Sequence, residues 1–223
     1  MSSDDERAAL FHVLYTTRAL RRLKPDTVPE EVLFQLVDAA VRAPSGQNRQ
    51  DWRFVVVTDP AIKASMQEAA AEAWTRYQPQ FVESPALIDD LPRTKRLSLK
   101  ATEYLAHHIG EVPAVIVVCG LRGGHSTPGG STFPAVQNLL LAARALGLGA
   151  SIFQLALSPK VIAAIGVPDE YQPYCAIPLG YPMDRHGPVR RRPVRQVAFL
   201  DRWGAPWPFA DAQPDDGWQK RWV

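Results

Sequence analysis

A mixed central sheet with helices packed on it, folded as one domain, is the architecture this sequence predicts. Three observations carry that prediction. Two runs, Trp52-Arg53-Phe54-Val55-Val56-Val57-Thr58 and Val112-Pro113-Ala114-Val115-Ile116-Val117-Val118-Cys119, are nearly continuous in apolar residues, as strands covered on both faces are. Amphipathic segments of helical period interleave with these runs along the chain, which argues for helices laid on a sheet. Neither an internal repeat nor a low-complexity linker divides the 223 residues.

Each element has a local cause. Ser3 with Glu6 reads as a capping box, opening a helix through Leu10, Val13 and Leu14. Thr27 with Glu30 reads as a second box, with Pro29 in the first turn. Val32, Leu33, Leu36, Val37, Ala40 and Val41 then recur at helical spacing. Asp59-Pro60 is a cap followed by a first helical position, ahead of Ile62, Met66, Ala69, Ala70, Ala73 and Trp74. From 79 to 97 the pattern breaks into prolines and mixed charge, read as a surface excursion. Helices follow at 98–108 and 133–146, the second closed by Gly147. The stretch 147–155 turns directly into a third strand, Ser158-Pro159 opens a short helix that Gly166 ends, and residues 174–181 form the last strand. The tail, with Trp203, Trp207, Trp218 and Trp222, is too aromatic to be left in water, so residues 200–223 read as an arm lying on another surface, a partner subunit.

Composition excludes several classes. Hydrophobic residues at 46% and charged residues at 22% are ordinary globular values. The acidic start Met1-Ser2-Ser3-Asp4-Asp5-Glu6 has no apolar h-region and no run reaches membrane-span length, so the expectation is a soluble cytoplasmic protein with no membrane contact. Cys119 and Cys175 lie far apart in apolar runs and read as buried free thiols. His107 and His108 are adjacent and point in different directions on a helix, a poor chelate, so no metal site is expected. The net charge of +2 gives no argument for nucleic acid, despite two arginine clusters. Residues 120–130 are glycine-rich but lack both GxGxxG and GK[ST] spacing, so they read as a mobile loop at a site mouth, where His125 is a solvated histidine.

The stretch with the most chemistry is Ala43-Pro44-Ser45-Gly46-Gln47-Asn48-Arg49-Gln50-Asp51-Trp52. Pro44 stops the preceding helix, and the serine and amides that follow offer donors and acceptors to a flat, polar-edged ligand. Gly46 permits close backbone approach. The basic clusters are Arg18-Ala19-Leu20-Arg21-Arg22-Leu23-Lys24 and Arg185, Arg190, Arg191, Arg192 and Arg195. Either is a solvated surface or an anion site, since arginine forks onto phosphate oxygens.

Four motifs in order resemble the FMN-dependent nitroreductases over roughly Thr17 to Val197: Arg18-Ala19-Leu20-Arg21-Arg22, Pro44 to Trp52, Ala143-Arg144-Ala145-Leu146-Gly147-Leu148-Gly149, and Leu179-Gly180-Tyr181-Pro182 with Arg192-Pro193. The resemblance implies an α+β fold with a central mixed sheet flanked by helices, one FMN-binding domain over residues 1–223, and an intertwined homodimer with FMN at the subunit interface. It implies that Arg18, Arg21 or Arg22 with Arg190 and Arg192 hold the phosphate and ribityl chain, with Ala19 among them. Pro44, Ser45, Gly46 and Asn48 would contact the ring, from either subunit, and Ile152, Phe153 and Gln154 would lie near N5 with backbone donors. Ala19 stands where the family has serine, Asp51 where it has proline, and Gln154-Leu155 where many members have Glu-Gly.

The activity so implied is hydride transfer from NADH or NADPH to flavin N5. A nitroaromatic, quinone or similar small acceptor is then reduced in a ping-pong cycle, with no catalytic side chain required. A cation such as Arg21 or Arg22 would stabilise charge developing near N1 and O2. The alternative keeps the fold and changes the class: a flavin-binding or flavin-sequestering protein, or a flavin-cleaving relative.

Overall fold

The computed structural model describes residues 3–123 and 129–212. Residues 124–128 of the glycine-rich loop, His125 among them, and Trp218 and Trp222 of the tail lie outside the described residues. Helices α1 (Ser3–Thr16), α2 (Glu30–Ala40), α3 (Pro60–Tyr77), α4 (Pro79–Glu83), α5 (Arg93–His108), α6 (Thr132–Ala145), α7 (Pro159–Ala164) and α8 (Pro208–Asp211) interleave with strands β1 (Trp52–Val57), β2 (Ala114–Leu121), β3 (Gly149–Ala150) and β4 (Tyr171–Gly180). They form two compact units: Ala19–Arg185, and the described residues of Met1–Arg18 and His186–Val223.

The larger unit is built on β2. Its side chains alternate between two cores, as a period of 2 demands. Val115, Val117 and Cys119 join Met66, Ala70 and Trp74 of α3 and Leu105 and Ala106 of α5. Ala114, Ile116 and Val118 join Leu33, Leu36 and Ala40 of α2 and Ala135, Val136 and Leu139 of α6. Helices thus cover both faces of the sheet. Fully burying each of the larger aliphatic side chains contributes about 1.5–3 kcal/mol.

The α+β architecture stands, and its sheet differs in detail from the expected one. The strand order is β1-β2-β4-β3, and all three pairings are antiparallel, so the described sheet is not mixed. β1 is an edge strand rather than an interior one. Its apolar run misleads because Val56 faces outward at 42% exposure and Arg53 is also exposed. The third strand is only two residues long, continued by an isolated bridge from Phe153 to Ala176.

Helix starts follow side-chain capping where it exists. Asp59 Oδ1 accepts from the N–H groups of Ala61 and Ile62, and the Ser158 hydroxyl accepts from Val161 N–H, so α3 and α7 begin where predicted. The Thr27 box is not formed: Pro29 occupies the N-cap of α2 with no side-chain cap. The 79–97 excursion holds α4, a 3₁₀ turn at Pro85–Ile88, and the first turn of α5, which starts at Arg93 rather than 98. No described helix is long and apolar enough to cross a membrane.

In the terminal unit, Val189 N–H donates to Tyr15 O and Gly187 N–H to Thr16 O, tying the later segment to the end of α1. Beyond it the described tail is not a straight arm. It forms a 3₁₀ turn at Val194–Gln196, a tight turn at Gly204 with φ +81°, and the one-turn α8.

Candidate functional site

The basic segment 20–24 is fixed by its two leucines. Leu20 and Leu23 are buried, Leu20 N–H donates to Ala150 O, and Lys24 N–H donates to Tyr181 O. Leu23 also bridges to Pro182. Gly149 makes room for this: a Cβ there would stand 2.6 Å from Leu23 Cδ2 and 3.2 Å from Leu20 Cβ. The apolar pair thus lies along the β3 and β4 ends and leaves the arginines between them to be placed by geometry.

Arg21 and Arg22 part company. The Arg22 guanidinium stacks over the Tyr104 ring, 5.4 Å from its centroid, and that ring stacks on His108 at 4.2 Å. Arg21 lines a cleft of about 290 Å³. The end of α3 supplies Trp74, Tyr77 and Gln78 to the cleft, α5 supplies Leu99 and Thr102, and residues 152–155 close it. Arg21 Nε is buried with no hydrogen-bond acceptor, and burial pushes its guanidinium down from its ordinary value. The Trp74 indole N–H and the Ser151 hydroxyl are likewise buried without partners. Buried polar groups left unpaired are uncommon and each asks for an explanation. An acceptor-rich, anionic group is the complement of Arg21, and the described lining contains no carboxylate to serve instead.

The 152–155 stretch is held at one point. Phe153 exchanges both backbone hydrogen bonds with Ala176, and Gln154 Nε2 donates to Tyr174 O at 3.0 Å. Among the described residues no acceptor takes the backbone N–H of Gln154 or Leu155. Those donors are available to a bound ring edge, so this side of the cleft fits a flavin nucleotide as Arg21 does.

The 44–51 loop is a different place. Gln47, Asn48 and Gln50 have φ of 53°, 54° and 54°, left-handed values that cost a non-glycine residue roughly 1–2 kcal/mol each. Such strain clusters at ligand sites when the surroundings hold it. Here Ser45 Oγ accepts from Gln50 N–H at 3.0 Å, Arg49 Nε pairs with Asp51 Oδ2 at 3.0 Å, and the Ser131 hydroxyl accepts from Gly46 N–H at 3.2 Å. Asp51, in the position where the resemblance led one to expect proline, thus makes an ion pair within the loop.

The predicted site residues therefore fall into three groups, with Arg22 apart from them, stacked on Tyr104 and not lining the cleft. Arg21, Ile152, Phe153 and Gln154 meet at the cleft, though Phe153 is itself buried. Pro44, Ser45, Gly46 and Asn48 do not line it; they sit beside the start of α6. Arg18, Arg190 and Arg192 belong to the terminal unit, where all three are exposed, and Ala19, also exposed, opens the larger unit. Sequence reasoning missed Trp74, Tyr77, Gln78, Leu99 and Thr102. The i, i+3 pair of Trp74 and Tyr77 at the end of α3 was the one local signal.

Comparison with known proteins identifies the family and the fold. The family model described as "Nitroreductase family" matches residues 14–181. A protein of Thermus thermophilus named NADH dehydrogenase is 30% identical over 199 residues, covering 82% of this chain and 91% of that one. An iodotyrosine deiodinase of Thermotoga neapolitana is 27% identical over 176 residues, covering 78% and 89%. The crystal structure of a nitroreductase with bound FMN from Desulfitobacterium hafniense superposes with a TM-score of 0.67 at 19% identity, over 86% of this chain and 98% of that one. The match spans the basic segment, the strained loop, the sheet and the cleft wall alike, and the chain belongs to the nitroreductase family.

Proposed function

We propose that this protein is an FMN-dependent oxidoreductase. It takes hydride from NADH or NADPH and reduces a small acceptor, a quinone or nitroaromatic, as a homodimer with FMN at the subunit interface. The observation that carries the reading is Arg21: a half-buried arginine whose Nε is buried and unpaired, lining the same cleft as Gln154 and Leu155, whose backbone N–H groups have no described acceptor.

FMN, when bound, supplies the hydride and electron chemistry. The chain's own part is position and charge. Arg21 places a fixed cation where negative charge develops, with little solvent to screen it. The N–H groups of Gln154 and Leu155 orient a polar ring edge from the other side. Trp74, Leu99, Ile152 and Leu155 keep water from the reacting face, and Tyr77, 63% exposed, stands at the rim. Ser45 and Asn48 reach a flavin only from a second copy in this reading, since their loop does not line the same cleft.

The acceptor follows from the lining. With no carboxylate among the described wall residues, the ammonium of a free amino acid has no counter-charge there. That favours an uncharged aromatic over iodotyrosine, the substrate in the name of one relative. An absorption spectrum of the purified protein, followed anaerobically as NADPH and then NADH are added, tests the proposal. The expected result is a flavin spectrum that bleaches and is restored by a quinone or nitroaromatic. Bound flavin that neither nicotinamide bleaches would instead support a flavin-binding role, and a protein that takes up no flavin overturns the reading.

A further inference from the structure

Ser131 stands at the N-cap of α6 but caps nothing: its side chain makes no hydrogen bond to its own helix. Serine at this position ordinarily accepts from the second or third helical N–H. Here Gly129 O accepts from both Thr132 N–H and Phe133 N–H, and the hydroxyl is left for another use. That use lies 85 residues away, where Ser131 Oγ accepts the N–H of Gly46 at 3.2 Å. The serine is only 8% exposed, so water is a poor substitute.

The recipient is the strained loop. Gly46 opens a turn whose next two residues, Gln47 and Asn48, are both left-handed, as is Gln50. Ser45 Oγ and the Arg49–Asp51 pair tie the loop to itself. The Ser131 hydroxyl instead ties it to α6, on the far side of the chain. α6 is in turn seated firmly, because Gly120 has no Cβ to meet Thr132 Oγ1 and the Tyr174 ring, and Phe133 packs edge-on to Tyr174 at 5.8 Å.

The geometry points to Ser131 as a positioning residue for the flavin site. Its hydroxyl fixes the backbone of 45–48 against α6, and so sets where Ser45 and Asn48 meet the ring without touching it. This rests on the proposal that the loop contacts FMN.

Two measurements on S131A and S131T separate the inference from that reading. In the FMN-free protein, hydrogen exchange over residues 45–50 should be slow in wild type, faster by about three- to tenfold in S131A, and slow again in S131T, the scale of one lost hydrogen bond. FMN titration should show S131A binding about three- to tenfold more weakly, with an altered visible circular dichroism band of the bound flavin. Both should be restored by the threonine hydroxyl, and any fall in the denaturation midpoint of the FMN-free S131A protein, on the scale of one hydrogen bond, should be restored with them. Unchanged exchange in S131A overturns the inference, whatever FMN does. So does a fall in the FMN-free midpoint that threonine does not rescue, which marks a purely structural serine. Faster exchange with unaltered FMN binding overturns the positioning role while leaving the flavin site in place. A wild-type protein that binds no FMN defeats the functional reading instead.

Discussion

Gln154 Nε2 donates to the carbonyl of Tyr174 at 3.0 Å, and Tyr174 is the residue that the pairing of β2 with β4 leaves unmatched. Val118 faces Cys175 and Cys119 faces Pro173, so one extra residue bulges from β4. A bulge leaves ladder groups unpaired. The cleft residue Gln154 thus satisfies a carbonyl that the sheet cannot. Replacing it with alanine should cost about 0.5–1 kcal/mol, the range of a partly exposed hydrogen bond. Q154E should cost more at neutral pH, because a carboxylate oxygen then faces the carbonyl oxygen. Urea denaturation of the three proteins checks the order wild type, Q154A, Q154E. Equal midpoints would mean that the bond contributes nothing net.

The Tyr174 ring needs the space that Gly120 leaves. A Cβ at Gly120 would lie 2.5 Å from Thr132 Oγ1 and 2.9 Å from Tyr174 Cε2. Both neighbours sit between packed elements and cannot both yield. G120A should therefore destabilise the protein by about 1–3 kcal/mol, as overpacking does. A midpoint equal to wild type would show that the start of α6 shifts freely.

Asp59 caps α3 with two hydrogen bonds, at 2.8 Å to Ala61 N–H and 3.0 Å to Ile62 N–H. D59A should cost about 1 kcal/mol, and D59N, which keeps an acceptor, a fraction of that. Denaturant titration distinguishes them. If both variants match wild type, α3 owes its start to Pro60 and tertiary packing alone.

What was legible in the chain was whatever a residue does to its near neighbours. Asp59-Pro60 and Ser158-Pro159 announce helix starts because cap and helix are adjacent. Leu33, Leu36 and Ala40 announce a buried face because one turn repeats the next. The run 54–57 could not say that β1 is an edge, since an outward Val56 and an inward Val57 are the same residue type. The start of α5 was hidden because Pro92 caps it without a side-chain bond. The site was half legible. Arg21 stands in a motif and the 152–154 stretch follows one, whereas Trp74 and Leu99 reach the cleft only through the meeting of α3 and α5. The bond from Ser131 to Gly46 joins residues too distant for any local pattern, and three left-handed non-glycine residues carry no compositional mark.

Arg21 allows a prediction in which stability and binding separate. Arg21 is half-buried with its Nε unpaired, and burial lowers its guanidinium from the ordinary value, so in the FMN-free protein that nitrogen is desolvated without a partner. R21A should leave the stability of the FMN-free protein unchanged or raise it, while weakening FMN binding by about tenfold or more, the scale of a hydrogen bond to a charged group. R21K should recover only part of the affinity, because an ammonium lacks the planar fork. Fluorescence titration with FMN, paired with urea denaturation, reads both. Undiminished affinity in R21A would remove this residue from the flavin site.

The two cysteines set a pH dependence of definite sign. Burial pushes the Cys119 thiol up from 9.0 to about 11, and burial, with Cys119 nearby, pushes Cys175 to about 12. The unfolded chain releases both protons near 9.0, while the folded protein keeps them until about 11 and about 12. Between those limits the unfolded state binds fewer protons, so their contribution is complete below pH 9 and is lost as pH climbs toward the folded values. Lys63 works the other way. Its ammonium is lowered by burial and partly restored by Asp59, so the folded state sheds that proton first and gains stability as pH rises toward 10.5. The doubly substituted C119A/C175A protein isolates the thiols: its cavities lower stability at every pH, but only the thiols' slope disappears. Urea midpoints taken from about pH 8 to about pH 10.5 should fall less steeply in this variant than in wild type. Parallel curves would assign the alkaline loss to other groups. Both thiols should also resist alkylation in the folded protein at pH 8 and react on unfolding, because only the thiolate is nucleophilic.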